Sequence, residues 1–341
     1  MSVSALVPHA GSAATPLISV IIPVYQGEKL ILGAVESVLN QTYRNLQVLV
    51  VDDGCTDSTL SVLQTIADPR LRVLRQKNAG TAAARNLAIR ESSGEFIAFL
   101  DSDDRWLPDK VARELDVLSR VGDRPAIVYS SYYPVDDSGR LLNFPKRHAH
   151  TGFVLDALLD GEDFLVPSVC LFDRRIFDRL GGFSVGQYHE DHEYILRAAR
   201  EYPMFPTQKS LVIYRQSTSG KCRSILSDYE RARREELMVV DAARQILKPD
   251  QHARLLKNAY RSLYCRFLMY GYNKNAKMAL RDVKLSDLTG NMKGRLAWIF
   301  AKTGINLLVV VRIAIQWVYL CFMQREWQRK LAERGTRLRY E

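Results

Sequence analysis

The sequence lacks the motifs that would assign it at once to several large classes of protein. Its five cysteines are scattered and never form a CxxC pair, so neither a zinc site nor a disulfide framework is indicated, and a reducing compartment fits. Neither GxGxxG nor GxxxxGK[ST] occurs, which excludes a dinucleotide-binding fingerprint and a P-loop. His189 and His192 are three positions apart rather than four, so the zinc protease pattern HExxH is absent as well.

Positive charge is absent from the N-terminus and concentrated at the C-terminus. Residues 1–16 contain no Lys or Arg and no sustained apolar core, so we interpret them as a flexible leader and not as a secretory signal. The whole chain carries 48 Lys and Arg against 38 Asp and Glu, and residues 281–341 alone hold 12 against 5. A basic C-terminus of this kind fits an anionic membrane surface or an acidic partner better than a nucleic acid.

Continuous apolar runs alternate with helical patterns from residue 17 to about residue 118. Strands that are apolar along their whole length, joined by helices, predict an α/β fold with a mostly parallel sheet and helices on both faces. In such a sheet, ligands bind outside the carboxyl ends of the strands. Further strands and a helix with an acidic start are predicted up to residue 215. The predicted strands are 17–24, 46–51, 71–76, 96–100, 126–133 and 210–215, with a further strand followed by a short helix within 166–183, and the acidic helix is 187–202.

Carboxylates stand directly after two of these buried strands. Asp101 and Asp103 follow the strand 96–100, and paired carboxylates are oxygen ligands of the kind that Mg²⁺ and Mn²⁺ prefer. A solvated loop or a helix cap would explain the same residues without a metal. Asp52 and Asp53 follow the strand 46–51, where a carboxylate could accept an N–H from a nucleobase.

The order of several motifs resembles that of the family-two glycosyltransferases. The matching stretches are ISVIIPVYQGE, SVLNQTY, VLVVDDGCTDST, NAGTAAARN, GEFIAFLDSDD, GGFSVGQYHED and YRQSTS, which together span residues 17–219. The resemblance implies the GT-A fold, which is a Rossmann-like α/β fold, followed here by a C-terminal helical region. It also implies an inverting transferase of the kind that builds bacterial polysaccharides.

The resemblance also implies roles for individual residues. Asp191 matches the general base, with Glu190 and Arg215 as possible supporting residues. Asp101 and Asp103 match the DxD element that holds Mn²⁺ or Mg²⁺ against the donor diphosphate. The residues that match the nucleotide-sugar site are Pro23, Tyr25, Glu28, Asp53, Asn78, Arg85, Asp101, Ser102 and Asp103.

The activity implied by the resemblance is metal-dependent, inverting transfer of one hexosyl or N-acetylhexosaminyl group. The expected donor is a nucleotide-sugar, by default a UDP-sugar, and the expected acceptor is a hydroxyl of a saccharide or lipid-linked saccharide. The QxxRW motif of processive synthases does not occur, which favours transfer of a single sugar. A nucleotidyltransferase and a non-catalytic nucleotide-sugar-binding scaffold are the alternatives.

Three positions depart from the family pattern. Cys55 stands where the family usually has Ser, and this near-isosteric change should have little effect. Gln26 replaces the usual Asn, and Gln216 stands where many members have His. The change at position 216 puts a contact to the donor phosphate or the metal in doubt.

The chain is predicted to consist of four segments. These are the leader 1–16, the glycosyltransferase domain 17–225, a helical region 226–290, and a basic segment 291–341 that binds a membrane or a partner. Within the last segment, residues 305–323 form an apolar stretch with one charge, Arg312. A charge near its middle disfavours simple spanning, so we expect an interfacial helix, with a buried or dimerising helix and a true span as alternatives. Residues 291–330 are therefore the expected peripheral membrane contact, at the cytoplasmic face of the cell membrane.

Overall fold

The computed structural model describes residues 15–142, 149–161, 165–186, 189–217, 225–269 and 272–282. The predicted leader up to residue 14 and the whole basic segment 291–341, including the apolar stretch 305–323, lie outside the described residues. Among the helices that are described, none is both long and apolar enough to cross a membrane.

The first part of the chain forms four parallel strands joined by helices. The elements are β1 (Ile18–Val24), α1 (Ile31–Leu39), β2 (Leu46–Asp52), α2 (Thr59–Gln64), β3 (Leu71–Arg75), α3 (Thr81–Glu91) and β4 (Phe96–Phe99). β1 lies between β2 and β4, and β3 pairs with the outer edge of β2. Both β1 and β4 are buried along their whole length, as their unbroken apolar sequences predict.

The next part adds four strands to the same sheet and makes it mixed. The elements are β5 (Arg105–Trp106), α4 (Lys110–Leu118), β6 (Ile127–Val135), α5 (Leu155–Leu159), β7 (Cys170–Asp173), α6 (Arg174–Leu180), α7 (Glu190–Glu201) and β8 (Met204–Arg215). The strand order is β3-β2-β1-β4-β7-β6-β8-β5. β7 runs antiparallel to both β4 and β6, whereas β6 and β8 are parallel. The α/β prediction is confirmed, and the antiparallel pairings are confined to this second half.

Within the described residues, three helices follow the sheet, and the first two complete its core. They are α8 (Tyr229–Ala243), α9 (Pro249–Met269) and α10 (Asn273–Asp282). Asp228 begins α8, because its side chain accepts a hydrogen bond from the backbone N–H of Arg231 at 3.1 Å. Val239 and Leu255 belong to the same buried cluster as the sheet residues. α8 and α9 therefore share the core of the sheet. A separate helical region over residues 226–290 stays a prediction.

Side chains of α9 bind the end of α5. The guanidinium of Arg254 contacts the carboxylates of Asp156 at 2.6 Å and Asp160 at 2.8 Å. The amide of Asn258 donates to the backbone carbonyl of Leu159, which lies in the last turn of α5. Such contacts satisfy helix-terminal carbonyls that have no partner inside the helix.

Candidate active site

An open cleft of about 930 Å³ lies at the carboxyl ends of β1, β2 and β4. The loops after these strands line it together with the start of α3 and the beginnings of α7 and α8. This is the position at which an open parallel sheet binds ligands. Nine of the residues selected from the sequence line the cleft: Pro23, Tyr25, Asp53, Arg85, Asp101, Ser102, Asp103, Glu190 and Asp191.

The loop after β4 presents two of its three aspartates to the cleft. Burial and the neighbouring carboxylate of Asp101 raise the pKa of Asp103 to about 6. Asp104 is buried, and its carboxylate accepts a hydrogen bond from the backbone N–H of Arg215 at 2.9 Å. Asp104 therefore fastens the loop to β8, while Asp101 and Asp103 remain for the cleft.

Arg85 connects the loop after β4 to the start of α7. Its side chain is only 3% exposed, and its guanidinium contacts Asp101 Oδ1 at 2.8 Å and Glu190 Oε1 at 3.3 Å. The same group lies 5.2 Å from the ring centre of Phe183. Although burial alone would lower it, Asp101 and Asp191 are foremost among the carboxylates that raise the pKa of Arg85. A permanent positive charge thus offsets part of the acidic cluster around it.

Asp53 holds the loop that leads into α3. Its carboxylate accepts hydrogen bonds from Gln76 Nε2 at 2.7 Å and from the backbone N–H groups of Ala79 and Gly80 at 2.9 Å each. A carboxylate has about four acceptor positions, so roughly one remains after these three bonds. The remaining position could accept a ligand N–H at the edge of the cleft.

The first turn of α7 carries an acidic pair. Glu190 is 8% exposed; burial raises its pKa, which Arg85 lowers and Asp191 raises. Asp191 Oδ1 accepts a hydrogen bond from the backbone N–H of His192 at 2.8 Å. Both residues line the cleft, as do Asp101 and Asp103. The cleft is thus lined by carboxylates from the loop after β4 and from the start of α7.

A partly buried ion network fixes the turn before this pair. Glu236 Oε2 on α8 contacts His189 Nε2 at 3.4 Å and also the guanidinium of Arg266 on α9. Burial would raise the pKa of Glu236, yet Arg266 and His189 together hold it at about 2. The ionised carboxylate thus joins three helices beside the cleft.

Three residues selected from the sequence do not line the cleft. Glu28 bridges two loops, because its backbone N–H donates to Asp57 and its carboxylate accepts from the backbone N–H of Ser58, both at 3.1 Å. Asn78 lies against Gly54, and Arg215 donates to the backbone carbonyl of Asp137 at 2.7 Å. These positions support the surrounding loops, and their part in donor binding stays a prediction.

The structure adds cleft residues that the sequence motifs did not indicate. Tyr214, the residue before the last of β8, lines the cleft, and so do Arg231 and Glu235 from α8. The spacing of four between Arg231 and Glu235 puts them on one helix face. That spacing was visible in the sequence, but nothing in it indicated that this face meets the cleft.

The acidic residues fit a hard divalent cation. Asp101 and Asp103 supply carboxylate oxygens, and a cation would stabilise the ionised form of Asp103, which burial and the charge of Asp101 disfavour. Among the described residues, no group of three His, Cys, Asp or Glu side chains is placed to hold a metal by itself. One or two carboxylates completed by substrate phosphates are, however, the usual protein share of a Mg²⁺ site.

Comparison with known proteins assigns this site to a family. The model of glycosyl transferase family 2 matches residues 19–181, a range that includes the loops after β1, β2 and β4. An uncharacterised glycosyltransferase of Haemophilus influenzae is 30% identical over 211 residues, which cover 61% of this chain and 79% of the relative. The chain belongs to glycosyl transferase family 2. It is therefore an enzyme of the glycosyltransferase class, as its motifs predict.

Another relative of this family 2 chain has an activity in its name. The Escherichia coli protein WfaP, a UDP-Glc:α-D-GlcNAc-diphosphoundecaprenol β-1,3-glucosyltransferase, is 36% identical over 118 residues, which cover 34% of this chain and 46% of WfaP. The match includes only part of either protein.

Solved structures show that this family 2 chain has the GT-A fold. S. aureus TarS 1–349 in complex with UDP-GlcNAc superposes with a TM-score of 0.57 at 20% identity, covering 84% of this chain and 87% of that one. The mannosyltransferase PcManGT from Pyrobaculum calidifontis, in complex with GDP-Man and Mn²⁺, superposes with a TM-score of 0.53 at 17% identity. That alignment covers 97% of this chain and 88% of PcManGT.

Proposed function

We propose that this enzyme transfers one sugar from a nucleotide-sugar to a hydroxyl group, with inversion at the anomeric carbon. The observation that carries the proposal is the cleft itself, which Asp101, Asp103 and Asp191 all line and where Arg85 contacts both Asp101 and Glu190. Donor phosphates and an acceptor hydroxyl would then approach the anomeric carbon from opposite sides. A direct displacement needs this arrangement, because the attacking and leaving oxygens must be in line.

Asp191 is the proposed general base. Its carboxylate would take the proton of the acceptor hydroxyl while the oxygen bonds to the anomeric carbon. The bond from that carbon to the diphosphate oxygen breaks, and a nucleoside diphosphate leaves. Glu190 cannot easily replace Asp191, because it is buried and paired with Arg85.

Asp103, with Asp101, is the proposed holder of Mn²⁺ or Mg²⁺. Such an ion would supply charge neutralisation for the departing diphosphate. Asp101 also contacts Arg85, so the loop that holds the leaving group is joined to the helix that carries the base. The Mn²⁺ complex of the structurally similar PcManGT supports a divalent ion in general and not a particular one.

The proposed donor is a UDP-sugar that binds along the loops after β1 and β2. Tyr25 is 55% exposed at the edge of the cleft, where an aromatic ring can pack on a base, and Asp53 retains an acceptor position. The UDP-GlcNAc complex of TarS supports this choice, and WfaP is a relative that uses UDP-Glc. The roles of Pro23, Asn78 and Ser102 in this site are part of the same proposal.

The proposed acceptor is a saccharide or a lipid-linked saccharide, reached from the cytoplasmic face of the membrane. The lipid-linked acceptor in the name of WfaP supports the second form. The basic segment 291–330 would provide a peripheral membrane contact. Extraction of membranes tests this part: release by high salt or carbonate is expected, and resistance to both would contradict it.

A thermal shift screen of sugar nucleotides with and without Mn²⁺ tests the donor and the metal together. A ligand at 100 times its Kd stabilises the folded state by about 2.7 kcal/mol, so the correct donor should raise Tm clearly. Asp103→Asn should remove the Mn²⁺ dependence of that shift. A shift that is identical without metal would contradict the proposed metal site.

The products separate the alternatives. Metal-dependent release of nucleoside diphosphate supports the transferase, whereas pyrophosphate release would indicate a nucleotidyltransferase. Donor binding with no turnover for any acceptor, water included, would favour a non-catalytic scaffold.

A further inference from the structure

The loop between α6 and α7, residues 181–186, is held by hydrogen bonds from α7 itself. The guanidinium of Arg197 donates to the carbonyl of Leu180 at 2.6 Å and to that of Gly182 at 2.9 Å. Ser184 Oγ donates to Glu193 Oε2 at 3.0 Å. Because Arg197 and Glu193 belong to α7, this loop and the helix that carries Glu190 and Asp191 form one hydrogen-bonded unit.

Asn86 on α3 connects that unit to the parallel half of the sheet. Its Nδ2 donates to the carbonyl of Phe183, and its Oδ1 accepts from the N–H of Phe183, both at 2.8 Å. Asn86 thus satisfies both polar groups of one peptide residue, as a neighbouring strand would. A Cβ at Gly182 would lie 2.1 Å from Asn86 Oδ1, so the loop approaches α3 this closely only because residue 182 lacks a side chain.

The neighbouring contacts point to the same connection. Phe183 places its ring 5.2 Å from the ring of Phe99 at the end of β4, and 4.7 Å from that of Tyr194 on α7. Asn86 follows Arg85 directly, so one turn of α3 contacts the donor-side loop, the acidic pair and the α6–α7 loop. Asn86 itself does not line the cleft.

We propose that Asn86 is a positioning residue: it fixes the α6–α7 loop, and through it the placement of Asp191 relative to the bound donor. This inference rests on the proposed role of Asp191 as general base. Two hydrogen bonds to one backbone residue set both the distance and the orientation of the loop. Misplacement of a reacting group by about 1 Å can reduce the rate about 100-fold, so even a small shift of α7 should be measurable.

The main test is Asn86→Leu, which keeps the size of the side chain and removes both hydrogen bonds. The full chain is assayed for Mn²⁺-dependent release of UDP from UDP-GlcNAc, with water as acceptor. We expect kcat to fall between about 10-fold and 100-fold, while KM for the donor and Kd for UDP stay unchanged. A parallel loss of kcat and donor affinity, or an unchanged kcat, would overturn the inference.

Gln47→Leu is the matched control. Gln47 Oε1 accepts from Ser19 Oγ at 2.7 Å and from the backbone N–H of Ser93 at 2.9 Å, at the amino ends of the strands and far from the cleft. This variant should lose a similar amount of thermal stability and keep its kcat. If it lost as much kcat as Asn86→Leu, the effect would be one of general stability and the positioning role would be refuted.

Hydrogen exchange gives a readout that does not depend on turnover. In Asn86→Leu the amide of Phe183 and the first turn of α7 should exchange faster, while β1 and β2 stay unchanged; unchanged exchange at Phe183 would refute the inference. If Asn86→Leu folds poorly, Gly182→Ala replaces it in the test. Its added methyl group pushes the Asn86 side chain away from the loop, so it should give the same loss of kcat. Full activity of Asp191→Asn would instead refute the proposed function, and the exchange data would still decide whether Asn86 holds the loop.

Discussion

Replacement of Arg85 by Met should destabilise the enzyme by about 3 kcal/mol at pH 7.5. Arg85 is 3% exposed and is paired with both Asp101 and Glu190, so its loss leaves two carboxylates without their counter-charge. Removal of one partner from a buried ion pair costs about 3–5 kcal/mol. We take the lower end because the side chain of Asp101 is 32% exposed and water can reach it, whereas the side chain of Glu190 is only 11% exposed and is less easily rehydrated. Met keeps most of the side-chain volume, so a cavity adds little.

Urea denaturation and thermal melting measure this loss against a surface control. About 3 kcal/mol should lower Tm by about 4 °C in a chain of 341 residues, because the entropy of unfolding increases with chain length. Arg72→Met removes a pair with Glu91 at 2.7 Å in which the arginine is 54% exposed, and such pairs contribute about 0–1 kcal/mol. If the two variants were equally stable, the internal position of Arg85 would not have the energetic importance given to it here.

The penalty should also depend on pH. Burial raises the pKa of Glu190, while Arg85 lowers it, so the pKa rises further once Arg85 is removed. When a carboxyl group has a higher pKa in the folded than in the unfolded state, protonation favours the folded state. The stability of the variant should therefore recover as pH falls. The difference between wild type and Arg85→Met should be smaller at pH 5 than at pH 8. A constant difference would show that uncompensated charge is not the cause.

Two further substitutions test the framework around the site. Lys110 and Glu114 form an ion pair at 2.7 Å, and both side chains are fully buried. Lys110→Met should therefore cost about 3–5 kcal/mol of unfolding free energy in urea denaturation, whereas the double variant Lys110→Met with Glu114→Leu should be near wild type. Equal losses in the single and double variants would contradict this. Burial raises the pKa of Glu114 to about 7 despite Lys110, so the single-variant penalty should shrink at pH 5, where Glu114 is protonated. Gly54 has φ +78°, and a Cβ there would lie 2.7 Å from the backbone nitrogen of Asn78; Gly54→Ala should cost about 1–2 kcal/mol and weaken donor binding, and a neutral effect on both would refute the strain.

The sheet was largely predictable, because its signal is local. Strands such as β1 and β4 are continuous apolar runs, and polar residues follow shortly after each of them, at the edge where parallel strands end together. The antiparallel order of β7 and β6 was not predictable, since it depends on which strands pair and not on how each strand reads. β8 begins at Met204 rather than at residue 210. The prediction started too late because the first half of this strand is less buried and lacks an apolar run.

The site was predictable where family motifs follow strand ends, and less so elsewhere. Asp101 and Asp191 lie in one cleft as expected, although 90 positions separate them in the sequence. Glu28, by contrast, bridges two loops, and its hydrogen bonds depend on the fold of both. Arg231 reaches the cleft only because α8 packs beside α7, and a helical pattern does not indicate which neighbour a helix chooses.

The turnover of Asp191→Asn, measured alongside its donor affinity, tests the central claim most directly. The change replaces one carboxylate oxygen by an NH2 group and leaves the loops after β1, β2 and β4 untouched. We expect Mn²⁺-dependent release of nucleoside diphosphate to fall by at least about 100-fold, since general base catalysis contributes about 10² to 10⁴. The Kd for the nucleotide-sugar should stay at the wild-type value. Near-normal turnover in this variant would contradict the assignment of Asp191 as the general base.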